Sequence, residues 1–191
     1  MSATRMLVLG VILLAGGAHG YQVRTKLVSW RADEWARIKP GSIYHAIRKA
    51  AADKLIDELH AEPGAAGPER TVYRITEAGM VELKRLVREG LRHTRDPWML
   101  NAAITMLPVL SHAEAAAMIR ERILRLEADL VNLRQWRAEP GPDTPLHVID
   151  QANLWLGQVA ADAAWAAELL SKIESGAYEL GQYSTLTSAC D

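Results

Sequence analysis

Met6, Leu7, Leu9, Val11, Leu13 and Leu14 form a short apolar run that closes at Gly16-Gly17. The run falls short of the roughly 20 apolar residues that a helix needs to cross a bilayer. Following Arg5, it imitates the apolar region of a secretory signal. The alternative is a first helix buried in a core, and the residues after it favour that reading because they continue a folded pattern. From His19-Gly20-Tyr21 to about Ala32 the chain is amphipathic, with Val23, Leu27 and Val28 inward and Arg24, Lys26 and Arg31 outward. Trp30 and Trp35 bracket the end of this second helix. Pro40 suits a first helical position and opens a third helix to about Asp53. Ile43, Ile47 and Ala50 share one stripe of it, while Tyr44, His45 and Arg48 lie together on another.

The period then changes from helix to strand. Residues 54–60, with Leu55, Ile56 and Leu59, predict a strand, and the alternation over 70–75 predicts a second. The Gly/Pro-rich stretch 61–68 between them predicts a loop, and its tip, Glu62 to Gly67, is expected to be mobile. Thr76 is placed to cap a fourth helix reaching about His93, with Val81, Leu83, Leu86, Val87 and Leu91 as its apolar positions. Asp96-Pro97 marks a boundary, followed by a short helix around 98–107 that Pro108 stops. Ser111 and Glu114 make a capping box at the head of a long helix. In it Ile119, Ile123, Leu126, Leu130 and Leu133 follow the spacing of an a/d seam, which predicts a partner surface and hence a dimer contact. A turn over 138–145 leads to a last helix from about Leu146 to Glu174, rich in alanine from Ala160 to Ala167.

Charge divides the chain where the pattern does. Residues 1–93 carry 15 Lys and Arg against 10 Asp and Glu, and residues 94–191 carry 7 against 13. A polyanion would meet the front half. The expected organisation is a domain over 1–95, a helical domain over 96–178 and a flexible tail over 179–191. Cys190 is the only cysteine, so no intrachain disulfide is possible and a reducing, cytoplasmic setting fits.

Enzymatic and metal chemistry find no support in the motifs. His19, His45, His60 and His93 are scattered, with no pair at i, i+4 spacing. Nucleophile-elbow, phosphate-loop and zinc-protease signatures are missing from the sequence. No cofactor, metal or membrane is expected.

His19-Gly20-Tyr21, Pro40-Gly41-Ser42-Ile43-Tyr44, Leu55-Ile56 and Tyr73-Arg74-Ile75-Thr76-Glu77-Ala78-Gly79, in that order, resemble the signature of the PadR family of bacterial transcriptional regulators. The resemblance covers roughly residues 6–92. The rear half is similar to the helical dimerisation domain of longer members only in length and periodicity. One departure is Ala52-Asp53-Lys54, where many relatives have a Glu-Gly turn.

The resemblance implies a mainly α fold: an N-terminal winged helix-turn-helix of order α-α-α-β-β-α and an all-α C-terminal dimerisation domain. It implies a repressor that binds double-stranded DNA as a homodimer on a pseudo-palindromic operator. The third helix would enter the major groove through Ser42, Tyr44, His45, Arg48 and Lys49, with Arg70 and Arg74 on the wing and Tyr21 turned toward phosphate. Arginine can read guanine bidentately, while lysine and hydroxyl groups chiefly fix phosphates. It further suggests a small aromatic effector near Trp98, Trp136, Trp155 or Trp165, although tryptophans at helical spacing also serve as core or dimer interface. The alternative function is a winged helix that binds another protein through the acidic rear half.

Overall fold

The structure is a computed structural model that describes residues 2–64, 67–93 and 95–183, with the side chains of 60–70 outside that description. The first helix, α1 (Ala3–Leu14), is capped by the Ser2 hydroxyl, which accepts from the Arg5 N–H. Every residue from Met6 to Leu13 is buried. α1 packs on α2 (Gly20–Ser29), α4 (Pro40–Ala52) and α5 (Glu77–Arg92), and it is the central rod of the front half. Between α2 and α4 lies one turn of helix, α3 (Ala32–Trp35), closed by the Trp35 indole N–H donating to the Trp30 carbonyl at 2.6 Å.

The sheet is larger than the sequence pattern indicates. β2 (Ile56–Gly64) and β3 (Gly67–Ile75) are antiparallel and remain paired to Gly64↔Gly67. The stretch 61–68, expected as a loop, is therefore largely strand. Glycine and proline composition argued for a loop, but the ladder carries the backbone hydrogen bonds through it. Of the tip Glu62 to Gly67, expected to be mobile, residues 65 and 66 lie outside the described residues, and Glu62, Gly64 and Gly67 are paired in the ladder. A two-residue strand, β1 (Ala18–His19), pairs with β3 in the order β1-β3-β2. Two residues are too few for alternation to register. Val28 and Val81, placed inward by periodicity, are exposed.

Lys54 accounts for the departure from the Glu-Gly pattern. It takes the left-handed conformation, φ 56°, that a glycine would adopt without cost, and this turns the chain from α4 into β2. Asp53, the C-cap of α4, is held by the Arg5 guanidinium at 2.6 Å. Across the same turn the Thr76 hydroxyl donates to the Lys54 carbonyl at 2.9 Å and accepts from the Gly79 N–H at 3.0 Å.

The rear half consists of α6 (Pro97–Thr105), a 3-10 turn (Leu107–Val109), α7 (His112–Ala138) and α8 (Leu146–Glu174). α7 and α8 lie antiparallel, since Arg120 near the start of α7 pairs with Glu174 at the end of α8. This arrangement gives the residues of the expected seam neighbours within the chain. Ile119, Leu126 and Leu130 are buried within one chain, and Ile123 and Leu133 are half-buried. The apolar stripe that seemed to need a second copy is largely covered by the chain's own helices, because the 138–145 turn folds α8 back. Residues 179–183, expected to begin a flexible tail, are anchored: Leu180 and Tyr183 pack on the core, and the Gly181 N–H donates to the Pro108 carbonyl. No helix among the described residues is long and apolar enough to cross a membrane.

Candidate nucleic-acid interface

Helix α4 starts on Pro40, and the Ser42 hydroxyl donates to the Lys39 carbonyl at 2.6 Å to hold its first turn. Ile43, Ala46, Ile47 and Ala50 are buried against the front core. That burial fixes which side of the helix faces out: Tyr44, His45, Arg48 and Lys49 are all exposed.

Three of the expected residues converge. Tyr21, Tyr44 and Arg48 line one crevice together with His19, Gly20, Ile47, Thr71 and Tyr73, about 350 Å³ in volume. Its walls are the start of α2, the outer side of α4 and the middle of β3. A capping box sets the α2 wall, since His19 Nδ1 accepts from the Gln22 N–H and the Gln22 side chain accepts from the His19 N–H. Gly20 lets α4 close in, because a Cβ there would stand 2.9 Å from the Tyr44 ring. The crevice offers a guanidinium and hydroxyl groups around an apolar floor, which suits an oxyanion or a sugar-phosphate edge.

The other expected residues are placed differently. His45 and Lys49 are on the exposed side of α4 beside the crevice but outside its lining, and Ser42 is engaged in the turn. Arg74 is exposed on β3 opposite Asp57, on the other strand face from Thr71 and Tyr73. The Arg70 side chain lies outside the described residues. Sequence reasoning missed Thr71 and His19. His19 is buried as a helix cap, and the spacing of His19 to Gln22 was the available signal for it.

A second, larger cleft of about 930 Å³ lies in the rear half. Pro97 and Leu100 of α6, Leu126 and Leu133 of α7, and Trp155 and Val159 of α8 give it apolar walls. Of the four tryptophans considered for an effector, only Trp155 lines this cleft. Trp98 is covered by the Arg37 guanidinium, 4.4 Å from its ring centroid, and Trp136 is exposed elsewhere on α7. Trp165 lies beside Arg122, 6.0 Å from its ring centroid. At the inner end of the cleft Arg122 is buried and held by Asp162 and by the carbonyls of Leu91 and His93. Among the described residues no group of His, Cys, Asp and Glu is placed to hold a metal ion.

Two helices in a helix-turn-helix, supported by a third and flanked by a paired hairpin, define a winged helix-turn-helix protein. Residues 8–85 match the Transcriptional regulator PadR-like family. Among solved structures, Bacillus subtilis PadR in complex with operator DNA is 21% identical, with 88% of this chain and 98% of that chain covered and a TM-score of 0.39. The same protein in complex with p-coumaric acid is 21% identical, with 90% and 99% covered and a TM-score of 0.37. The protein smu.1604c of Streptococcus mutans UA159 is 23% identical, with 90% and 100% covered and a TM-score of 0.40. No curated protein matches the chain.

Proposed function

We propose that the chain is a DNA-binding transcriptional repressor, acting in the cytoplasm, that reads duplex DNA through α4. The observation that carries this reading is the convergence of Tyr21, Tyr44 and Arg48 on one open crevice beside the exposed side of α4. Arg48 and Lys49 follow the groove, Tyr21 and Thr71 sit at the backbone, and the wing extends the footprint. The basic balance of residues 1–93 favours the approach of a polyanion.

Functional division falls near residue 95, with the front reading DNA and the rear holding two copies at a fixed spacing on a pseudo-palindromic operator. The exposed apolar residues of the rear helices supply the contact between copies: Leu124 and Val131 on α7, and Leu154 on α8 beside Gly157 and Ala160. Half a dozen large apolar side chains left exposed on two helices are more than scattered surface residues ordinarily account for. The rear cleft, with Trp155 on its wall, is the site for a small aromatic effector.

A gel-shift titration against the promoter of the protein's own gene tests the first claim. Retention should fall steeply between low and moderate salt, with Arg48→Ala weaker at every point; no retention at low salt would end the reading. Size-exclusion chromatography tests the second: Val131→Asp and Leu154→Asp should shift a dimer toward monomer. Quenching of Trp155 fluorescence by p-coumaric acid, used as a probe, tests the third, with Trp155→Phe as the control.

A further inference from the structure

Helix α6 has two sides with different tasks. On one, the Asn101 side-chain amide donates to the Trp35 carbonyl at 3.0 Å, and the Trp98 ring lies against the Arg37 guanidinium at 4.4 Å. Both contacts fall on the segment that carries the chain from α3 into α4. Arg37 holds a left-handed φ of 53°, a conformation that persists in a non-glycine residue only where its surroundings impose it. On the other side, Pro97 and Leu100 form part of the wall of the 930 Å³ cleft whose remaining walls are α7 and α8. Residues 97 and 100 share one strip of a helix and residues 98 and 101 the next, about 100° around the axis. Met99, Ala102 and Ala103 bury the rest of α6 in the core, so it responds to a push as a packed unit rather than by bending.

We propose that Trp98 and Asn101 are positioning residues for the DNA-reading helix, and that through them α6 links occupation of the rear cleft to the setting of α4. The proposal rests on the reading of α4 as the DNA-contacting helix. A body in the cleft presses on Pro97 and Leu100, and the same helix grips the turn that starts α4 from its neighbouring strip. Trp98 thereby has a role other than lining an effector site.

The test fills the cleft without a ligand. Leu133→Trp places a bulky ring in it, and DNA affinity is read by fluorescence anisotropy together with hydrogen exchange over residues 36–43. Trp98→Ala and Asn101→Ala should each speed exchange over 36–43 by roughly tenfold while leaving the amides of α8 as in the wild type. Leu133→Trp should change DNA affinity by roughly 2- to 30-fold, and in the Trp98→Ala/Asn101→Ala background that change should largely vanish. Unaltered exchange in both single variants overturns the positioning role. A Leu133→Trp effect that is nil, or that persists undiminished in the double background, overturns the link. Asn101→Asp and Trp98→Leu, which keep bulk and lose the donor or the aromatic face, repeat the measurement where truncation unfolds the protein. If the wild type fails to bind DNA, the functional reading fails, and the exchange measurements on the same variants still decide whether α6 positions the turn.

Discussion

Arg122 of α7 and Asp162 of α8 meet fork to fork: Nε donates to one carboxylate oxygen at 3.1 Å and a terminal nitrogen donates to the other. The remaining guanidinium nitrogen donates to the carbonyls of Leu91 and His93 at the end of α5, so a side chain only 2% exposed joins three helices. Removing it leaves a carboxylate and two carbonyls without their donor. Arg122→Ala should cost about 3–5 kcal/mol, read as a lower urea midpoint at unchanged slope. A midpoint within error of the wild type would show that the cluster contributes nothing net.

Glu114 closes the capping box at the head of α7 and also pairs with Arg88 of α5. Burial pushes its carboxyl up, but the Ser111 N–H, the Arg88 guanidinium and the Ser111 hydroxyl outweigh that and hold the pKa at about 2, down from an ordinary 4.5. A lowered folded-state pKa gives stability that is fully present above the unfolded value and lost on acidification. The loss should therefore run from about pH 4.5 down to about pH 2. Because the pair is partly solvated, roughly 1–2 kcal/mol is expected. Glu114→Gln should flatten the acid limb of a stability-pH curve; an identical limb would place the acid sensitivity elsewhere.

Lys54 occupies a left-handed position, φ 56°, which costs a residue with a Cβ more than it costs glycine. Lys54→Gly should raise stability by about 0.5–1 kcal/mol, the strain relieved less the added chain entropy of glycine. The thermal midpoint should rise with no change in DNA affinity. A fall would mean that the lysine contributes more than its backbone strain removes.

Gly79 is a packing requirement. A Cβ there would stand 2.0 Å from the Leu55 carbonyl oxygen, which accepts the Thr76 N–H, and 2.8 Å from Ile75. Backbone cannot yield as a flexible side chain does, so Gly79→Ala should cost on the order of 3 kcal/mol or prevent folding. Soluble expression and the far-ultraviolet circular dichroism melt would register it. Wild-type stability in this variant would refute the close approach.

Arg48 and Arg74 should differ in their effect on DNA. Arg48 lines the crevice, whereas Arg74 stands on the strand face turned away from it. Arg48→Ala should weaken binding and lower the salt slope by about 1, while Arg74→Ala should do less on both counts. Equal losses would extend the contact surface to the far side of the wing.

Legibility in the sequence followed the length of each pattern. The Ser111 capping box, the Thr76 cap and the buried stripe of α4 were readable because several residues repeat one signal. β1 and α3, at two and four residues, carry too few repeats for any period. The α7 seam shows a different limit. A 4-3-4-3 spacing states that a helix will be covered, but whether by its own chain or by another depends on where the next helix returns. Tyr44 and Arg48 were legible together on one stripe of α4, but Tyr21 joins them only because β1 brings the start of α2 beside α4. Trp98 was drawn toward an effector by the family resemblance, and only the left-handed turn at Arg37 shows what its ring covers.

The pairing of Ala18 with Tyr73 and His19 with Val72 makes the wing continuous with the start of α2. Grafting a longer or shorter hairpin onto this scaffold would therefore be neutral only beyond Thr71. Any register slip nearer the base would carry His19 with it, undo the cap of α2 and dismantle the crevice, so wing length and groove contact cannot be exchanged between relatives as independent parts.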